Sequence, residues 1–352
     1  MGGESFSQRV ESGFARGLMR LPAGLLRVLA GRPLVRDGQT LDIQTQLLLK
    51  LQRLRGADRL GGGTPGEERH TMDAQCRVLA PAPDSPVTTT DIQVAGAGTT
   101  IPARVYRPSG CGDSAPGLVF YHGGGFVLGS LDSHDGICRV LAERAGCVVV
   151  SVDYRLAPEH PAPTALDDSV AAFRDIAERA TEWSIDPARL AVSGDSAGGN
   201  LAAGVAQATR DDRLAPCFQL LYYPAVDFTR DRESVLLFAE GFLLEKSSMD
   251  WFRGHYIPDG FDNADPRVSP IFGPLAGVAP ALVITGGFDP LRDEGEDYAA
   301  ALAAAGVSAR ARRMPTMIHG FLNFAGAVDG AMAGLAEGAH ALAQAWAADG
   351  GR

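Results

Sequence analysis

The run Gly194-Asp195-Ser196-Ala197-Gly198-Gly199-Asn200 sets a serine between glycines directly after an apolar segment, Leu190-Ala191-Val192-Ser193. Glycine two residues before and two after a serine is the spacing of a strand-to-helix elbow. There the serine is held in a strained backbone conformation that pushes its hydroxyl out of the sheet edge. Such a hydroxyl becomes a nucleophile for acyl transfer once a base can take its proton. The small residues from Ala197 to Ala206 are helix-compatible, so the Ala197 amide would lie at a helix N-terminus, where negative charge is favoured. A glycine-rich turn that does no chemistry satisfies the same pattern, and the weight falls on what else the chain supplies.

Upstream, the buried-strand candidate Gly117-Leu118-Val119-Phe120-Tyr121 runs into His122-Gly123-Gly124-Gly125-Phe126. Residues without a Cβ let successive backbone N–H groups approach a small anion closely. A phosphate loop would need a lysine followed by Ser or Thr, which neither glycine run has, and Leu128 stands where a dinucleotide fingerprint requires its third glycine. Gly61-Gly62-Gly63-Thr64-Pro65-Gly66 satisfies that fingerprint formally, but it follows no strand, and it reads as a linker. Downstream, Ala281-Leu282-Val283-Ile284-Thr285-Gly286-Gly287-Phe288 is a continuous apolar strand that leads directly into Asp289. An acid just past a buried strand is placed to orient a histidine, whereas Asp293 and Glu294 would open the next helix, where acids serve the dipole and solvation. His319 sits in His319-Gly320-Phe321, after the strand candidate Ala309 to Met314. Of the other histidines, His70, His255 and His340 lie in polar or helical contexts, and His134 and His160 read as loop-holding residues. The chain order Ser196, Asp289, His319 is one of the orders in which a Ser-His-Asp triad occurs.

With these residues assembled, the chain resembles the bacterial relatives of hormone-sensitive lipase, an α/β-hydrolase group of esterases. The resemblance rests on His122-Gly123-Gly124-Gly125-Phe126, Asp153-Tyr154-Arg155-Leu156-Ala157-Pro158-Glu159-His160-Pro161, Gly194 to Gly199 in its G-D-S-A-G form, Asp289 to Gly295, and His319-Gly320-Phe321. It implies a carboxylic ester hydrolase with Ser196 as nucleophile, His319 as base, Asp289 as its orienter and oxyanion donors from the amides of Gly124, Gly125 and Ala197. It also implies short- to medium-chain acyl esters, an acyl-enzyme intermediate and a role for the Asp153–Pro161 run in bracing the site. No cofactor and no metal are needed for this chemistry. An amide or carbamate hydrolase would use the same triad, and a non-catalytic hydrolase-like receptor would use the same pocket.

Positioning such groups requires strands that end on one edge. Strand candidates near Leu118, Val148, Leu190, Leu220, Ala281 and Arg310 alternate with helix candidates near Cys138, Ala171, Ala202, Ala300 and Leu342. This alternation predicts an α/β fold with a mostly parallel twisted central sheet and helices on both faces, opened by a hairpin over Thr88 to Val94 and Ile101 to Tyr106. The domain reading is an N-terminal helical cap segment at 1–55, a linker at 56–86, a hydrolase body at 87–226 and 263–352, and a cap insertion at 227–262. Phe6, Val10, Phe14, Leu18, Leu21 and Leu25 predict one amphipathic helix running through Pro22, and a second covers Leu41 to Leu54. The first could instead lie on a membrane surface, since it carries Arg9, Arg16, Arg20 and Arg27 against Glu4 and Glu11. Aromatic residues crowd the cap insertion, and Phe238, Phe242, Trp251, Phe252 and Tyr256, with Phe126 and Asp195, are the candidate wall of the substrate pocket.

Bulk properties set the outer limits. A chain of 352 residues, 45% hydrophobic, can bury one large core with a lid. Its net charge of −10 argues against nucleic acid and anionic membrane surfaces as partners. Five widely spaced cysteines without C-x-x-C indicate neither a disulfide framework nor a zinc site. Absence of an early apolar run and of any 18-residue apolar stretch leads to the expectation of a cytoplasmic protein without stable membrane insertion. The expected partner is a small ester, with a homodimer possible in such relatives.

Overall fold

The computed structural model describes residues 13–14, 16–56 and 59–349. Its centre is an eight-stranded sheet, β1 (Val87–Gly96), β2 (Thr99–Pro108), β3 (Ala115–Tyr121), β4 (Val148–Val152), β5 (Ile185–Asp195), β6 (Gln219–Tyr222), β7 (Ala281–Phe288) and β8 (Ala309–Ile318). The spatial order is β1-β2-β4-β3-β5-β6-β7-β8. β1 and β2 form the opening antiparallel hairpin, β2 runs antiparallel to β4, and every other neighbouring pair is parallel. Parallel strands covered on both faces need apolar side chains throughout, and β4 (VVVSV) and β7 are buried along their whole length. Exposed Arg310 and Arg312 blunt the free edge at β8.

Two hydrophobic cores lie on opposite faces of the sheet. Helices α5 (Thr164–Glu178), α6 (Ala197–Ala208) and α9 (Arg292–Ala304) fill one through Phe173, Leu201 and Leu302. α4 (Asp135–Ala145) and α10 (Asp329–Asp349) fill the other through Ile137, Leu141, Leu335 and Leu342. The second core also receives Leu26 of α1 (Ala23–Ala30) and Leu47 and Leu48 of α2 (Ile43–Leu54). The insertion holds two short helices, α7 (Glu233–Leu237) and α8 (Lys246–Tyr256).

Two sequence expectations change. The predicted first helix does not run through Pro22: residues 16–19 are helical, and α1 starts afresh after Pro22, which has no N–H to continue the ladder. Phe6 and Val10 lie outside the described residues. The segment read as a linker at 56–86 contains a full helix, α3 (Pro65–Leu79), opened by a capping box between Thr64 and Glu67 with Pro65 in its first turn. α3 is tied to the body by Arg69, which donates to the carbonyls of Val127 and Ala157 at 2.8 Å each and pairs with Glu159. Among the described residues, no helix is long and apolar enough to cross a membrane.

Candidate active site

Ser196 stands between the end of β5 and the start of α6 at φ 55° and ψ −116°, a conformation costly for any residue with a Cβ. The flanking glycines explain how the turn closes. A Cβ on Gly194 would lie 2.3 Å from the Gly198 backbone, and one on Gly198 would lie 1.9 Å from the Tyr121 carbonyl oxygen. The elbow is pinned by the Ser196 N–H, which donates to the Tyr222 carbonyl at 2.9 Å, and by the Asn200 amide, which reaches the carbonyls of Ala225 and Val268.

His319 lies one residue past β8 and bridges two partners. Its Nε2 is 3.0 Å from Ser196 Oγ, and its Nδ1 is 2.9 Å from Asp289 Oδ2. Asp289 is fully buried, and its Oδ1 accepts the Leu291 N–H at 2.7 Å. With Nδ1–H donated to a buried carboxylate, Nε2 is left as the acceptor facing the hydroxyl. Asp293 is not part of this chain of bonds; its carboxylate accepts the Ser234 N–H and pairs with Arg292.

The glycine loop after β3 brings its backbone to the same place. Gly124, Gly125 and Phe126 have φ of 119°, 60° and 64°. A Cβ on Gly124 would strike the Leu128 carbonyl at 2.3 Å, and one on Gly125 would strike the Phe252 ring at 2.2 Å. The N–H groups of Gly124 and Gly125 have no hydrogen-bond partner among the described residues, and that of Ala197 opens a helix. All three residues border one cavity with Ser196 and His319. Free donors converging beside a hydroxyl and an imidazole can stabilise a negative oxygen formed by attack on a carbonyl.

Behind the loop lies a buried polar network. Asp195 Oδ1 accepts the Gly123 N–H at 2.8 Å and lies 3.1 Å from His134 Nε2, while Ser133 Oγ is 2.8 Å from His134 Nδ1. Burial opposes the Asp195 charge, yet His134 and the Gly123 N–H outweigh it and hold the carboxyl below its ordinary range. His122 stacks on Tyr154 with ring centroids 4.4 Å apart, and burial drives it down to about 3, so it stays neutral. The loop that His134 holds, through Asp195, is the one carrying the free amides.

The cavity is lined by four of the seven candidate wall residues, Phe126, Asp195, Phe252 and Tyr256; the first and last stack at 3.8 Å. Phe238 and Phe242 do not reach it. They pack with Phe288 in the core on the other face of the sheet, with centroids 5.4 to 5.6 Å apart. Trp251 also turns away: one residue before Phe252 on α8, it is rotated by a helical step onto the face covering Gly61 and His255. Leu244 and Met249, from the same crowded apolar run of the insertion, also line the cavity, and Leu60, Met72 and Phe228 join them without a signal in the sequence. Glu294, assigned by position to a solvated first turn, is instead buried in this wall. Its Oε1 accepts the N–H groups of Val226 and Asp227, and burial pushes its carboxyl up to about 8.

Known proteins place this geometry in context. A family model described as alpha/beta hydrolase fold matches residues 118–323. The carboxylic ester hydrolase LipN of Mycobacterium tuberculosis is 47% identical over 327 residues, covering 90% of this chain and 86% of its own. An ethyl acetate hydrolase of Pseudomonas putida is 39% identical over 284 residues, covering 79% and 89%. Among solved structures, an ester hydrolase from the metagenome of Lake Arreo, complexed with a derivative of bipyridine phosphonate, superposes with a TM-score of 0.83 at 40% identity, covering 87% of this chain and 99% of its own. A hyperthermophilic esterase from Pyrobaculum calidifontis gives 0.80 at 39% identity, with 85% and 97% covered.

Proposed function

This chain belongs to the α/β-hydrolase fold family, in its hormone-sensitive-lipase-like group of carboxylic ester hydrolases, and from that premise we propose that it cleaves short- to medium-chain esters through an acyl-enzyme on Ser196. The observation that carries the proposal is the single imidazole of His319 standing 3.0 Å from Ser196 Oγ and 2.9 Å from Asp289. In this reading, His319 Nε2 takes the hydroxyl proton as Oγ attacks the ester carbonyl, and Asp289 stabilises the imidazolium so formed. The carbonyl oxygen, now negative, turns toward the amides of Gly124, Gly125 and Ala197. Collapse expels the alkoxide, which receives the proton from Nε2. Water then attacks the acyl carbon with His319 again as base, releasing the carboxylic acid and restoring Oγ–H.

The acyl-chain range follows from the character of the wall. Phe126, Phe228, Leu244, Met249 and Phe252 offer an apolar surface, but Arg230, Asp231, Lys246, Asp250 and Arg253 interrupt it. Each methylene that lies against charge instead of carbon forfeits about 0.8 kcal/mol of burial. Long chains therefore gain little over medium ones. We assign the 227–262 insertion, joined by Leu60 and by Met72 of α3, to the cap over the cavity, and residues 87–226 and 263–352 to the hydrolase body, while α1 and α2 seat in the second core and contribute no residue to the cavity wall.

Initial rates on p-nitrophenyl esters from acetyl to palmitoyl, with Ser196→Ala alongside, test the reading. A maximum at short or medium chains that vanishes in the variant is expected. Serine-independent turnover, or turnover rising steadily to palmitoyl, would overturn the mechanism or the chain-length assignment respectively.

A further inference from the structure

We propose that the outer face of α1 and the end of α2 form a docking surface for an anionic lipid bilayer, on which the enzyme lies without inserting. α1 is apolar on two sides. Leu26 and Ala30 enter the core, while Leu25, Val28 and Leu29, at i, i+3 and i+4, share an outward face and are 53%, 77% and 39% exposed. α2 extends the patch: Lys50 Nζ donates to the Leu29 carbonyl, and one turn further on Leu54 is 76% exposed. An exposed apolar cluster on a helix otherwise seated in a core marks a contact surface.

Charge says what covers it. Residues 13 to 56 carry eight Lys and Arg against two Asp, in a chain whose net charge is −10. Both acids are engaged inside the molecule, Asp37 by Arg292 at 2.7 Å and Asp42 as the cap of α2. Arg20, Arg27, Arg32 and Lys50 have no carboxylate within ion-pair distance among the described residues. Exposed apolar side chains on a segment with this local excess of cations supply the two signals that interfacial binding to anionic lipid requires. A second copy fits poorly, because a two-fold contact would set this basic face against itself. Arg36 donates to the Leu237 carbonyl and Leu60 to the Leu243 carbonyl, so the N-terminal segment is fastened to the insertion, and Leu60 itself lines the cavity.

The test is co-sedimentation of the full chain with vesicles of phosphatidylcholine alone or with about one third phosphatidylglycerol. Binding to the anionic vesicles only, reversed by high salt, is expected. Arg27→Glu with Arg32→Glu should weaken it by roughly a hundredfold, and Leu25→Ser with Val28→Ser by about tenfold or more. Hydrolysis of soluble p-nitrophenyl butyrate, unchanged in both variants, shows that the fold and site survive and separates this proposal from the catalytic one. Wild-type chain left in the supernatant with both vesicle types would overturn it. So would binding indifferent to the substitutions, or a dimer in solution that Leu25→Ser with Val28→Ser dissociates.

Discussion

Asp195→Ala separates anchoring the oxyanion loop from the rest of the site. The Asp195 carboxylate touches neither Ser196 Oγ nor His319; it accepts the Gly123 N–H at 2.8 Å and faces His134 at 3.1 Å in a fully buried setting. Removing the buried carboxylate leaves the groups bonded to it unsatisfied, at about 1–3 kcal/mol for each, which an ordinary domain stability of about 5–15 kcal/mol can absorb. Tm should fall by roughly 10 °C. Gly123 precedes Gly124 by one peptide plane, so losing its anchor lets the amides facing the oxyanion drift. Deleting one such donor outright costs about 10²–10³ in kcat, and drift should cost about tenfold or more with KM little changed. Asp195→Asn keeps an oxygen for Gly123 and loses only the charge, so it should share the drop in Tm while holding kcat within about threefold of wild type. Steady-state kinetics on p-nitrophenyl butyrate and thermal melts read both quantities. An Asp195→Ala enzyme with wild-type kcat, or an Asn variant as slow as the Ala variant, would refute the anchoring argument.

Glu294→Gln probes a buried acid whose folded pKa, pushed up to about 8, lies above its unfolded value near 4.5. Folding takes up a proton between these values, so stability is fully present below about pH 4.5 and is lost as pH rises through about 8. The neutral Gln should remove that loss, and urea midpoints at pH 5 and pH 9 should lie closer together than in wild type. Phe252→Ala takes away the ring over Gly125, and room for about two further methylenes is worth about 1.6 kcal/mol, or roughly fifteenfold, in kcat/KM for longer over shorter acyl chains. An unchanged ratio across the p-nitrophenyl ester series would remove Phe252 from the acyl wall. Gly198→Ala would drive a Cβ to 1.9 Å from the Tyr121 carbonyl oxygen, and the protein is expected to express in inclusion bodies or with its melting transition lost. A soluble, active Gly198→Ala enzyme would show that the elbow has slack at this contact.

What could be read from sequence was local or strictly periodic. The strands announced themselves because a parallel sheet covered on both faces demands runs such as Val148 to Val152, and the elbow did so because its backbone excludes a Cβ at Gly194 and Gly198. The meeting of His319 with Asp289, 30 residues apart, was legible through order along the chain, since both follow strands that end on one edge. α3 carries its own start signal, the capping box Thr64-Pro65-Gly66-Glu67, but the neighbouring run Gly61 to Gly63 gives the segment the composition of a linker.

The residues that composition misplaced share a physical cause. Aromatic side chains are equally at home in a core and in a pocket, so crowding alone could not tell Phe238 and Phe242, which close on Phe288, from Phe252, which closes on Gly125. Helix geometry makes the distinction at Trp251 and Phe252, adjacent in sequence yet rotated by about 100° about α8. Acids fail for the complementary reason. Asp293 and Glu294 both suit a first helical turn, yet one stays near solvent with Arg292, and the other is driven inward because the loop entering the cap presents the Val226 and Asp227 N–H groups that a buried carboxyl can satisfy. A pocket wall is selected by what the opposing element leaves unsatisfied, and that information resides in the partner segment. For this reason the catalytic edge is written plainly in the chain, whereas the wall that chooses the substrate emerges only when insertion, α3 and α9 meet around Ser196.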